Sequence, residues 1–179
     1  MARENEEYAH PSLVDGSEII LHSHPGGGGS VAIIHLDKDT ATENVGGSNG
    51  SKHQVSWDNE IRKDTGYTHS NSTNNSRIYV DNDGRYRIVA TVSVEQGGNA
   101  RTTYMLYVRV NGSTEIKRCV SRNYCRGSSY GDASCTMTTQ LDLNANDYIE
   151  IQTEIDDTDS SYTSYTMADQ CECIVEKVE

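Results

Sequence analysis

The stretch that most constrains this chain is an alternation. From Gly84 onward, Tyr86, Ile88, Ala90, Val92 and Val94 fall on one face, and Arg85, Arg87, Val89, Thr91 and Ser93 on the other. A period of two with one mostly apolar face belongs to a half-buried antiparallel strand. A second run sets Tyr104, Leu106, Val108 and Val110 against Thr103, Met105, Tyr107 and Arg109, and it ends in Asn111-Gly112. Both residues of that pair tolerate positive φ, so the pair is a strong hairpin signal. Two long strands and the turns around them predict an all-β fold.

The remaining sequence supplies strands to pack against these two. Short apolar or alternating runs are expected at Glu18 to His22, Val31 to Leu36, Gln54 to Ile61, Ile78 to Val80, Glu115 to Val120, Cys135 to Leu143, Tyr148 to Ile155 and Tyr162 to Val178. Loops are expected at Tyr67 to Ser76, Ser121 to Ser134 and Asp156 to Ser161. No stretch reads as a helix of three turns. Eight to ten strands at this spacing predict an antiparallel β-sandwich. Residues 1–52, with a polar start and the run Gly26 to Gly29, read as an attachment or stalk region, and residues 53–179 read as one β-domain.

Composition narrows the functional classes. The formal net charge of −12 argues against nucleic-acid binding, which needs a basic face. No run approaches the ~18 apolar residues of a membrane span, so no membrane insertion is expected. The charged start Met-Ala-Arg-Glu-Asn-Glu-Glu lacks an apolar core, so a secretory signal is not expected, and synthesis in a reducing cytoplasm is the default. Phe is absent and there are 11 Tyr, a residue that packs a sheet face or a subunit interface while keeping its hydroxyl wet. Of the five cysteines, Cys119 could bridge Cys125 or Cys135, but spacing does not decide connectivity. Cys171 and Cys173 read as strand residues, one facing in and one out, rather than as a metal pair.

Residues 53–179 resemble the C1q/TNF-like jelly-roll head. The likeness rests on motif order: Trp57-Asp58, Asp64-Thr65-Gly66, Ile78-Tyr79-Val80, Gly84-Arg85-Tyr86, Val110-Asn111-Gly112, Leu141-x-Leu143, Asn146-Asp147, Ile149-Glu150-Ile151 and Cys173-Ile174-Val175. The chain departs from animal members in lacking Phe and a collagen-type Gly-X-Y stalk. Its polar style and its His-Ser-His-Pro-Gly-Gly segment look more like a bacteriophage virion protein, such as a tail fibre, spike or capsid decoration (cement) protein. The resemblance implies a homotrimer on the virion surface, with Tyr86, Tyr104 and Tyr107 as candidates for the subunit interface. Residues 1–52 would join it to other virion proteins, and its loops would meet a host-surface glycan or protein. A secreted C1q/TNF-like ligand or carbohydrate-binding module is the alternative.

Three metal sites are candidates. On a strand, His22 and His24 point the same way. Three such pairs at a three-fold axis would give six nitrogens, suited to a transition metal such as Fe, Ni or Zn; otherwise they are polar residues before Pro25. The same His-Ser-His-Pro text begins the JAMM metalloprotease motif, but Ile33 and Leu36 stand where that motif needs Ser and Asp. Asp156, Asp157 and Asp159 could offer carboxylate oxygens to calcium, as could Asp81 to Gly84, although such clusters also serve as turns. No nucleophile–base order, paired carboxylates or phosphate loop supports an active site, so a non-enzymatic role is expected.

Overall fold

The alternating run around Ile88 becomes the inner face of a 13-residue strand, with Tyr86, Ile88, Ala90, Val92 and Val94 all buried. The computed structural model describes residues 31–40, 42–98, 101–126, 131–159 and 162–179. These residues form β1 (Ile33–Asp37), β2 (Asn44–Gly46), β3 (Lys52–Gln54), β4 (Asn59–Lys63), β5 (Tyr67–Thr68), β6 (Ile78–Val80), β7 (Gly84–Gln96), β8 (Arg101–Val110), β9 (Thr114–Arg126), β10 (Gly131–Leu143), β11 (Tyr148–Thr158) and β12 (Ser164–Lys177). The excess over the expected strand count comes from β2, β3 and β5, pieces of two or three residues too short to alternate visibly.

Two antiparallel sheets result. The first runs β10-β7-β12-β1-β4 with β2 on β12, and the second runs β5-β6-β11-β8-β9 with β3 on β11. Their facing sides share one apolar core that includes Trp57, Ile78, Ile88, Leu106, Ile149, Ile151 and Val175. Each buried aliphatic side chain contributes roughly 1.5–3 kcal/mol by leaving water. Trp57 is fully buried but lies between β3 and β4 rather than within a strand. Asn111 and Gly112 adopt φ of 49° and 67°, as the hairpin signal requires.

The structure moves several expected boundaries. The predicted loop from Ser121 to Ser134 is largely strand: β9 and β10 run through it, with Ala133, Cys135 and Met137 facing the core. Ser134, Thr136 and Thr138 take the outward positions of the edge strand β10, so they diluted the apolar signal without breaking the pleat. The expected break at residue 52 falls inside the sandwich, because β1 pairs with both β12 and β4. Cys171 and Cys173 both face inward, since residues two apart share a side of the pleat. Cys125, Cys135, Cys171 and Cys173 are buried free thiols, and the side chain of Cys119 lies outside the described residues.

The sandwich has two distinct poles. At one, Lys177 N donates to Ala32 O, Val178 N donates to Arg85 O, and Lys177 Nζ donates to Asp83 O. At the other, Gly50 N donates to Ile155 O and Gly97 N donates to Thr163 O, which gathers the β2–β3, β7–β8 and β11–β12 connections.

Candidate functional site

The three tyrosines expected at a subunit interface lie inside one chain, which corrects that expectation. Tyr86, Tyr104 and Tyr107 are at most 1% exposed. Each hydroxyl finds a partner at home: Tyr86 donates to Asn82 O at 2.7 Å, and Tyr104 shares a hydrogen with Ser164 Oγ at 2.7 Å. Tyr107 lies on the outer side of the second sheet under a lid of charged side chains. Its hydroxyl donates to Glu154 Oε2 at 2.8 Å and accepts from Gln152 Nε2, while Lys117 Nζ sits 4.6 Å from its ring centre.

That lid is an ion-pair network. Lys52 Nζ reaches Glu115 Oε1 at 2.5 Å, and Lys117 Nζ reaches Glu154 Oε2 at 2.7 Å. The Lys52 hydrogen bond outweighs partial burial and holds the Glu115 carboxyl down at about 2. Burial and the neighbouring carboxylates push the Tyr107 hydroxyl far above its ordinary range. These groups satisfy one another, and a satisfied network of this kind rigidifies the surface it covers.

A second charged cluster went unread in the sequence. Lys38, flanked by Asp37 and Asp39, is completely buried; its Nζ donates to Ser56 O at 3.0 Å and meets Glu43 Oε2 at 3.0 Å. His53 Nε2 lies 3.2 Å from the same oxygen, but too poorly aligned for a hydrogen bond. Burial raises the Glu43 carboxyl, and the contacts with His53, Ser56 and Lys38 lower it more, to about 2.

His22 and His24 lie outside the described residues. The aspartates expected to bind calcium do not converge. Asp156 pairs with Arg122 at 2.6 Å, Asp157 is in register with Thr103, and Asp159 Oδ1 accepts from Arg101 N at 2.8 Å. Asp83 Oδ1, in the other acidic turn, accepts from Ala145 N. Among the described residues no group of three or more His, Cys, Asp or Glu side chains is placed to hold a metal ion.

The surface that stands apart is the outer side of the first sheet. Val89 faces Thr138 on β10 and Ile174 on β12. Beside them Thr91 Oγ1 meets Thr136 Oγ1 at 3.0 Å, and Ser93 Oγ meets Ser134 Oγ at 2.6 Å. The side chains of this zone are themselves uncharged, in a chain whose net charge is −12, and Glu172 faces Thr91 from β12 at its margin. The Arg87–Glu176 pair at 2.7 Å bounds it on one side, and His35 with Glu172 at 3.5 Å on another. Towards the loop pole, the same side of the sheet carries the exposed Tyr165, with Tyr162 beyond it at the tip.

No family profile and no curated protein matches the chain. Solved structures do. The chain is similar to murine APRIL at pH 5.0, with a TM-score of 0.58 and 14% identity over 83% of this chain and all of that one. It is similar to Eiger TNF from S. frugiperda, with a TM-score of 0.52 and 13% identity over 83% of this chain and 93% of that one. Such likeness concerns architecture alone: the chain has the TNF-like jelly-roll fold, two antiparallel sheets around one core.

Proposed function

We propose that the chain is the non-enzymatic, homotrimeric head of a bacteriophage virion protein, exposed on the particle as a short fibre or tip head or as a capsid decoration. The observation that carries the self-association is the uncharged ladder of Val89, Thr91, Thr136, Thr138 and Ile174. An acidic monomer gains nothing from clearing charge off the outside of a sheet, whereas a copy of itself can pack against such a zone. The polar style and the His-Ser-His-Pro-Gly-Gly segment, which resemble those of bacteriophage virion proteins, and the Ser-, Asn- and Tyr-rich connections support an attachment role. His22 and His24 are proposed as the ligands of a transition metal at the three-fold axis. The similarity to Eiger TNF favours a second reading, a TNF-like ligand.

Light scattering on the full chain tests the assembly. The expected mass is three times the 19.8 kDa of one chain, and a monomer would overturn the trimer. Metal analysis of the same fractions, wild type against H22A/H24A, is expected to find iron, nickel or zinc only in the wild type. Mass spectrometry of purified particles that encode the chain separates the two readings. Its presence there supports the virion role, and its absence leaves the ligand.

A further inference from the structure

We infer that the loop-pole end of the first sheet is a binding site for neutral carbohydrate, built on Tyr165 and Tyr162. This inference deepens the attachment role proposed above and rests on it. Tyr165 is in register with Asn44 on β2 and Glu95 on β7, and Glu95 is in register with Asp132 on β10. Their strand neighbours Val45, Ser164, Thr166, Val94, Gln96 and Ala133 are all buried. The pleat therefore turns Asn44, Tyr165, Glu95 and Asp132 outward together, as one row across four strands. At ~4.8 Å between strands the row spans ~14 Å.

The rings are held open. Tyr165 is 40% exposed and Tyr162 43%. The Tyr162 ring lies on Gly98, where an added Cβ would run into it, and the Tyr165 ring edge is 3.9 Å from where a Cβ on Gly97 would sit. Gly98 thus gives the Tyr162 ring a backbone shelf with no side chain to lift it, Tyr165 stands within ordinary contact reach of Gly97, and the 3.0 Å hydrogen bond from Gly97 N to Thr163 O ties the glycine pair to the segment that carries both rings. A tyrosine face of this kind takes the C–H face of a pyranose ring, while its hydroxyl stays in water.

The polar part of the row has the matching chemistry. Planar carboxylate and amide groups accept and donate in pairs, which suits the vicinal hydroxyls of a sugar. Glu95 and Asp132 stand opposite one another, and like charges so placed cost stability. Neither is in an ion pair with another described residue, so the fold gains nothing evident from the arrangement. Polyol hydroxyls donate to such carboxylates without the repulsion that a sialylated, sulfated or uronic glycan would meet. The chemistry therefore selects a neutral glycan. The row lies beyond the self-association zone, since Thr91 and Thr136, the zone members closest to it, are four residues from Glu95 and Asp132, or ~14 Å.

The test is retention of the full chain on immobilised mannan, dextran, galactan and β-glucan, with heparin as the anionic control. The expected result is retention on at least one neutral polymer, none on heparin, and an about tenfold weaker affinity in Tyr165→Ala and in Glu95→Ala. Tyr165→Phe keeps the ring and is expected to bind within a few-fold of wild type, and melting curves confirm that each variant is folded. Failure of every neutral polymer, retention on heparin, or wild-type affinity in folded Tyr165→Ala and Glu95→Ala would each overturn the site. A trimer that holds no neutral glycan loses this site but keeps the virion-head reading. A monomer that holds one keeps the site and loses the trimeric head.

Discussion

At the scale of single residues, the acidic side chains divide by what surrounds them. Glu43 is the acid on which the buried Lys38 depends. Its carboxyl titrates at about 2 in the fold against 4.5 ordinarily, so its contribution to stability is complete above pH 5 and is lost as the pH falls towards 2. A shift of that size corresponds to about 2 kcal/mol once solvent screening is discounted. Glu43→Gln leaves the Lys38 charge buried without its partner and is expected to lower stability at pH 7 by about 3 kcal/mol. It should also flatten the acid limb of the stability curve, as measured by urea unfolding from pH 7 to 3; parallel limbs in wild type and variant would contradict this. None of this was legible in the sequence, where Asp37-Lys38-Asp39 is only a charged end to an apolar run. Burial of Lys38 depends on Ser56 O and Glu43, 18 and five residues away, and on their meeting in space. The tyrosines misled for a related reason. Alternation assigns a ring to a face of the sheet, but whether its hydroxyl is satisfied by a second copy or by Ser164, Asn82 or Glu154 depends on tertiary neighbours.

At the scale of elements, the long strands were the most legible part of the chain and the edges the least. β7 and β8 have a buried side rich in Val, Ile, Leu and Tyr, so the period of two is plain. β9 and β10 are edge strands, and β9 carries a register shift opposite β8 between Leu106 and Val108. That shift lies within the run expected as a strand; the stretch read as a loop begins beyond it at Ser121, where up to Arg126 only Cys125 is buried and no apolar alternation marks the strand. The Asn111-Gly112 turn is the reverse case, a short signal with a long reach. Its backbone bonds to Tyr148 O through Asn111 N, and Asn111 Nδ2 donates to Asp147 Oδ1 at 2.7 Å, so the β8–β9 hairpin is locked to the start of β11. Gly112→Val places a branched side chain at φ of 67° and drives its Cβ towards the Tyr148 hydroxyl. It should cost about 1–3 kcal/mol, read as a lower midpoint in urea with an unchanged slope. A neutral result would mean that the turn can relax away from β11.

At the scale of the whole molecule, the class of fold could be read in advance but the pairing of distant strands could not. Nothing local in Ile33–Asp37 says that it lies beside Glu172–Glu176, at the far end of the chain. The uncharged ladder was equally hidden, because its members come from β7, β10 and β12 and each alone is an ordinary outward residue. Its proposed role has a direct test. Val89→Glu puts a charge at its centre and is expected to convert the trimer to monomers at micromolar concentration, with a melting temperature close to that of wild-type monomer obtained by dilution. An unchanged mass in solution would move the assembly surface elsewhere.

The two poles of the sandwich have a practical consequence. The chain enters the sheets beside Ala32 and leaves them at Lys177, one hydrogen bond away, while the β2–β3, β7–β8 and β11–β12 connections meet at the opposite pole. Anything joined after Glu179 is therefore anchored on the entry side, and sequence diversity written into the three connections leaves the strand ladders intact. The domain has the layout of a display scaffold, in which a library of variable tips could be grown on a constant base and sorted by what the tips capture.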